Sequence, residues 1–164
     1  MVSDMTEQRA SLPALVSDAD HLALSRLVVE SGWRVDAGQA STVHELFVDD
    51  GILDTGQPAQ GRDAIRAWGE ELDRNNPYPG IRHLASNMRF VATATGTDPD
   101  GRDTAEGVTV LTVYLNDADG RPVSTPWVVG EDHDRFVRTE TGWRFTHRTW
   151  TQLFSRDAAP PDHS

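Results

Sequence analysis

At 164 residues, with 37% hydrophobic and 25% charged positions, the chain is sized for one domain with a substantial core. It has no cysteine, which excludes disulfides, thiolate metal sites and cysteine nucleophiles. A formal net charge of −11 argues against nucleic acid or an anionic membrane as partner, since both need basic groups, and the acidity itself serves solubility. No apolar run reaches the roughly 20 residues of a membrane helix, and the N-terminus lacks the regions of a signal peptide, so the expected address is cytoplasmic.

Residues 1–17 are polar and aperiodic and read as a tail or an arm over a neighbour. Asp18 or Asp20 can cap a first helix from about Ala19 to Asp36. Leu24, Leu27, Val28, Ser31 and Val35 follow the helical spacing there, and Leu22, Val29 and Trp33 widen the stripe, which predicts a helix covered on most sides. Asp36 sets a carboxylate against the negative end of the helix dipole, an unfavourable place that draws notice. A short second helix is expected over about 40–47, then a turn at Asp49-Asp50-Gly51, a short strand over 52–54, a loop over 57–60 and a third helix over about 63–74. Its inner face is Ala64, Ile65, Trp68 and Leu72. The breaker cluster Asn75-Asn76-Pro77-Tyr78-Pro79-Gly80 closes this half.

Four extended segments follow, over about 82–95, 105–116, 122–138 and 142–154, with hairpin-turn signals between them. Helices first and antiparallel strands after predict an α+β domain over 18–155, with a tail over 156–164. Segments this long curl, and helices laid over a curled sheet make a cone with one open end. The sequence has no Gly-rich phosphate loop, no nucleophile elbow and no metal-ligand spacing.

His83 and Asn87 open the first extended segment, and histidine is the side chain best suited to moving protons near neutral pH. Asp132 and Asp134 alternate on one strand face with His133 on the other. Two carboxylates in one desolvated site cannot both ionise cheaply, so one can be held protonated as an acid. Asp134 is read as pairing with Arg148 or Arg82 to hold the sheet, and Asp132 as a candidate acid or base. His147, beside Trp143 and Phe145 in the alternation, is read as a core histidine. Asn87 could orient a carbonyl, and Trp33, Trp68, Tyr78 and Trp127 could wall an apolar pocket. One conflict stands out. Plain alternation sets His83 opposite Met88 and Phe90, so His83 meets a pocket on the core side only if a bulge falls near 84–87.

The succession Phe47-Val48-Asp49-Asp50-Gly51, Gly61-Arg62-Asp63-Ala64-Ile65, Arg82-His83-Leu84-Ala85-Ser86-Asn87, Asp134-Arg135-Phe136-Val137-Arg138 and Gly142-Trp143-Arg144-Phe145 resembles the SnoaL-like family of the nuclear transport factor 2-like superfamily. The resemblance covers about residues 20–155. It implies a cone-shaped α+β barrel with N-terminal helices on a strongly curved mixed or antiparallel sheet, and a homodimer formed through the outer sheet face. Its relatives include polyketide cyclases, scytalone dehydratase, ketosteroid isomerase and limonene epoxide hydrolase. Asp36 and His83 fall where scytalone dehydratase has its helix-end aspartate and pocket histidine, and Asp132 where it has a pocket asparagine; the tyrosine before that aspartate is Val35 here. The implied activity is cofactor-independent acid/base chemistry by His83, Asp36 and Asp132 on a small apolar substrate such as a polyketide intermediate: cyclisation, dehydration or isomerisation. Epoxide opening and a non-catalytic binding or accessory role are the alternatives.

Overall fold

A computed structural model describes residues 14–93, 96 and 98–156. Most of the expected N-terminal arm, and the C-terminal tail beyond residue 156, lie outside the described residues. Helix α1 spans Asp18–Asp36, a 3-10 helix Ala40–Leu46 and helix α2 Arg62–Arg74. Strands β1 (Phe47–Asp54), β2 (Pro58–Gln60), β3 (Arg82–Ala92), β4 (Thr104–Tyr114), β5 (Val128–Thr139) and β6 (Gly142–Ser155) form one sheet in the order β2-β1-β6-β5-β4-β3. All its pairs are antiparallel except β1 with β6, so the sheet is mixed, and it does not close into a barrel: β2 and β3 are its edges. No described helix is long and apolar enough to cross a membrane.

Ser17, rather than Asp18 or Asp20, caps α1 by accepting from the Asp20 N–H, while the Asp20 carboxylate reaches across to Arg138 and Trp143 Nε1. No side chain of its own caps the 3-10 helix; Asp73 of α2 accepts from the Ala40 and Ser41 N–H groups at 2.8 and 2.9 Å. The residues expected to be a loop at 57–60 include β2, which pairs with β1.

The helices pack on one face of the sheet. Leu24, Leu27, Val28 and Ile65 meet the fully buried rings of Phe47, Phe90, Phe136 and Phe145 there. The inner face is not set by uniform alternation. A bulge between Ser86 and Arg89 on β3, and another between Arg135 and Phe136 opposite β6, each shift the register. Asn87 sits in the first at φ 47°, a left-handed conformation that asparagine tolerates better than most side chains. Above this bulge Ile81, His83 and Ala85 face inward, and below it Met88 and Phe90 do.

Candidate active site

α1 ends beside the start of β3. Asp36 Oδ1 accepts from His83 Nδ1 at 2.6 Å, and Oδ2 accepts from the His83 backbone N–H at 2.9 Å. The Arg82 guanidinium donates to the Asp36 carbonyl at 3.1 Å, bringing positive charge to a helix end where a carboxylate alone is disfavoured. The side chains of His83 and Asp36 are only 18% and 10% exposed. Gly32, one turn before Asp36, permits this approach: a Cβ there would lie 3.3 Å from the His83 Cβ. A mid-helix glycine costs about 1 kcal/mol relative to alanine, and at this place it lets α1 close on β3. With a carboxylate on Nδ1, the ring proton sits there and Nε2 is the basic nitrogen.

A second ionic group lies on β5 and β6. Arg148 is the register partner of Asp134, and its Nε and Nη2 donate to the two Asp134 oxygens at 2.8 Å each. The guanidinium also covers the Phe145 ring at 4.3 Å. Asp132, two residues along the same face, lies 3.4 Å from Arg148 Nη2 and is 4% exposed. Burial pushes its carboxyl up to about 6; Arg148 opposes this and Asp134 reinforces it. Because this value lies above that of an unfolded aspartate, the folded state holds the proton more tightly. Stability contributed by Asp132 is therefore present at acid pH and is lost as pH rises from about 4 to about 6. Asp132→Asn should flatten the urea midpoint against pH across that interval; a slope like the wild type's would mean that Asp132 is not the group responsible.

Both groups open into one cavity of about 250 Å³. Its polar end is His83, Asp132 and Arg148, and its walls include Trp68, Tyr78, Trp127 and Trp150. Tyr78 and Trp127 pack ring to ring at 5.3 Å. The Trp150 indole lies across Gly130, where a Cβ would come within 2.5 Å of it. A wider groove of about 1160 Å³, lined by charged side chains such as Asp49, Arg102 and Arg135, carries none of the candidate groups.

Sequence reasoning placed His83, Asp132, Trp68, Tyr78 and Trp127 at a pocket, and all five line this cavity, with Asp36 behind His83. Two expected pocket residues do not line it. Trp33 is 66% exposed, because it lies on the face of α1 turned from the sheet. Asn87 is exposed in the β3 bulge, where its part is conformational. His147 is not a core residue: the β6 bulge turns it outward opposite Arg135 and puts Arg148 on the inner face. Gly32 and Gln152, not foreseen, also border the cavity.

A model of the SnoaL-like domain matches residues 18–149. The chain belongs to the SnoaL-like family. No curated protein matches its sequence. Among solved structures, this SnoaL-like chain resembles a nuclear transport factor 2-like protein with a cystatin-like fold from Novosphingobium aromaticivorans, 26% identical over 86% of this chain and 85% of that one, with a TM-score of 0.65. A protein provisionally named a scytalone dehydratase, from the same organism, is 18% identical, covering 87% and 89%, with a TM-score of 0.64. Aln2 from a Streptomyces species is also 18% identical, covering 84% and 94%, with a TM-score of 0.68. At 18% identity these last two share the fold.

Proposed function

We propose that this SnoaL-like protein is a cofactor-independent acid/base enzyme, a cyclase, dehydratase or isomerase, acting on a small, mostly apolar natural-product intermediate such as a polyketide. The observation that carries this reading is the 2.6 Å Asp36–His83 pair facing an aromatic-walled cavity that also holds the buried acid Asp132. His83 Nε2 takes a proton from a carbon next to a carbonyl, and Asp36 stabilises the imidazolium that forms. Asp132 protonates the oxygen that gains charge or departs. The cavity volume of about 250 Å³ lies just under the usual range for drug-sized ligands, which fits a compact ring system. A cytoplasmic address, expected from the sequence, belongs to the same proposal.

The test is proton exchange in D₂O. Small cyclic and polyketide-like ketones incubated with the protein should gain deuterium beside the carbonyl, read by NMR. Ketones that bind the cavity without exchanging would favour the non-catalytic binding role. Epoxide opening stays as a second reading on one observation: Arg148 stands between Asp132 at 3.4 Å and Asp134 at 2.8 Å, a cluster that can hold a water and an epoxide oxygen. Diol formed with ¹⁸O from labelled water would move that reading ahead.

The protein is also proposed to be a homodimer through the outer sheet face. There Leu84, Thr112, Val129 and Phe154 form one register row, with Leu84 51% and Phe154 68% exposed. Sedimentation should give twice the 18.1 kDa chain mass at micromolar concentration, and a single 18.1 kDa species would refute the dimer.

A further inference from the structure

Thr109 of β4 is fully buried, at 0% exposure, and its hydroxyl is a buried polar atom with no hydrogen-bond partner among the described residues. A buried hydroxyl left unmet is costly, and valine would fill the same space without that cost. The register gives Thr109 a particular neighbour. It pairs across β4 and β5 with Asp132, and both side chains point inward. Directly opposed side chains on one sheet face have their Cβ atoms about 4.5–5.5 Å apart, within reach of a hydrogen bond after a rotation. Among the described residues no hydrogen bond to Asp132 is present: Arg148 is its ion-pair partner at 3.4 Å but spends its two hydrogen bonds on Asp134. An unpartnered buried donor thus stands beside a buried carboxylate with no bond between them.

We propose that Thr109 is a positioning residue for Asp132: rotation about its Cα–Cβ bond lets its hydroxyl donate a hydrogen bond to the Asp132 carboxylate once that group has released its proton. This rests on the reading of Asp132 as the acid. While Asp132 is protonated the threonine is held in reserve. When the proton leaves, the hydroxyl supplies what Arg148, committed to Asp134, does not. The other groups facing Asp132 are fixed in kind: Arg148 from β6, Asp134 from β5, His83 from β3 and, from the far face of β5, His133. To the shared cavity α1 presents Ser31 and Gly32 and α2 presents Trp68 and Leu72, none of which titrates.

The experiment is a carboxyl ¹³C NMR titration of aspartate-labelled protein, with the Asp132 signal assigned by its loss in Asp132→Asn. Thr109→Val keeps the shape and removes the donor. It should raise the Asp132 midpoint by about one to two pH units, the worth of one hydrogen bond to the ionised form. Thr109→Ser, which keeps the hydroxyl, should titrate as the wild type does. A wild-type midpoint in Thr109→Val, or a serine variant that behaves like valine, overturns the proposal. If the valine variant does not fold, Thr109→Ala against Thr109→Ser reads the same contrast. The titration uses no substrate. A protein without turnover would therefore sink the proposed activity and leave this result standing, while an unmoved midpoint would remove Thr109 and leave His83 as the base.

Discussion

His83→Ala is expected to lower deuterium exchange, or turnover of the true substrate, by about 10²–10⁴-fold while circular dichroism stays that of the wild type. Among the described residues the ring's side-chain hydrogen bond is the 2.6 Å one to Asp36, and its side chain is 18% exposed, so the loss falls on chemistry more than on the core. Asp36→Asn separates orientation from charge. An amide can still meet the imidazole, but it can hold the wrong tautomer and cannot stabilise the imidazolium, so the rate should fall with the shape retained. The double variant should be little worse than His83→Ala, because groups that act as one unit are not additive. If His83→Ala turns over like the wild type and Asp36→Asn is merely less stable, the pair is a strut between α1 and β3.

The second large effect is expected on stability. Arg148→Met leaves Asp132 and Asp134, 4% and 3% exposed, without their shared cation. Removing one partner of a buried ionic group costs about 3–5 kcal/mol, most of it the burden of the uncompensated charge. The sign with pH follows. Without Arg148, which holds it down, the folded-state value of the Asp132 carboxyl moves further up, so folding takes up a proton, and the variant should be worst at neutral pH and recover as pH falls. Urea unfolding at neutral and mildly acidic pH reads this directly. Adding Asp134→Leu to Arg148→Met should restore part of the loss, because it removes one of the two unmet charges and leaves Asp132, which faces the cavity, as the other. An Arg148→Met protein as stable as the wild type at neutral pH would show that the cavity supplies enough water to solvate both carboxylates.

The fold was legible because its signals are long. The α1 stripe, the breaker cluster at 75–80 and the turns between the strands each span several residues and agree with one another. The site was legible where chemistry coincides with an element end, as at Asp36 and His83. It was illegible where one residue changes the parity of a strand. The turn at Glu140-Thr141-Gly142 sets a hairpin whose unbroken register would put His147 opposite Asp134; the extra residue Thr146 puts Arg148 there instead. That single step made a core residue of His147 on paper and left the partner of Asp134 open between two arginines. β3 posed the same problem in reverse, since only a bulge could bring His83 inside, and nothing in Ser86-Asn87-Met88 declares one. Trp33 failed for another reason: a tryptophan within an apolar stripe carries no mark of the side from which the sheet covers the helix.

The kink at Asn87 divides β3 into two lengths whose sidedness is set separately. Below it, Phe90 locks into the phenylalanine cluster; above it, Ile81, His83 and Ala85 look inward. Taking Asn87 into the ladder as an ordinary paired residue would leave the lower length seated and turn the upper length over. Arg82, Leu84 and Ser86 would then be presented to the cavity, and His83 to the outside. The cavity face of this strand is thus hinged on a single exposed position. Loss of this bulge, with Asn87 retained, would replace the chemistry of the cavity wall wholesale, where point substitutions would have to rebuild it residue by residue.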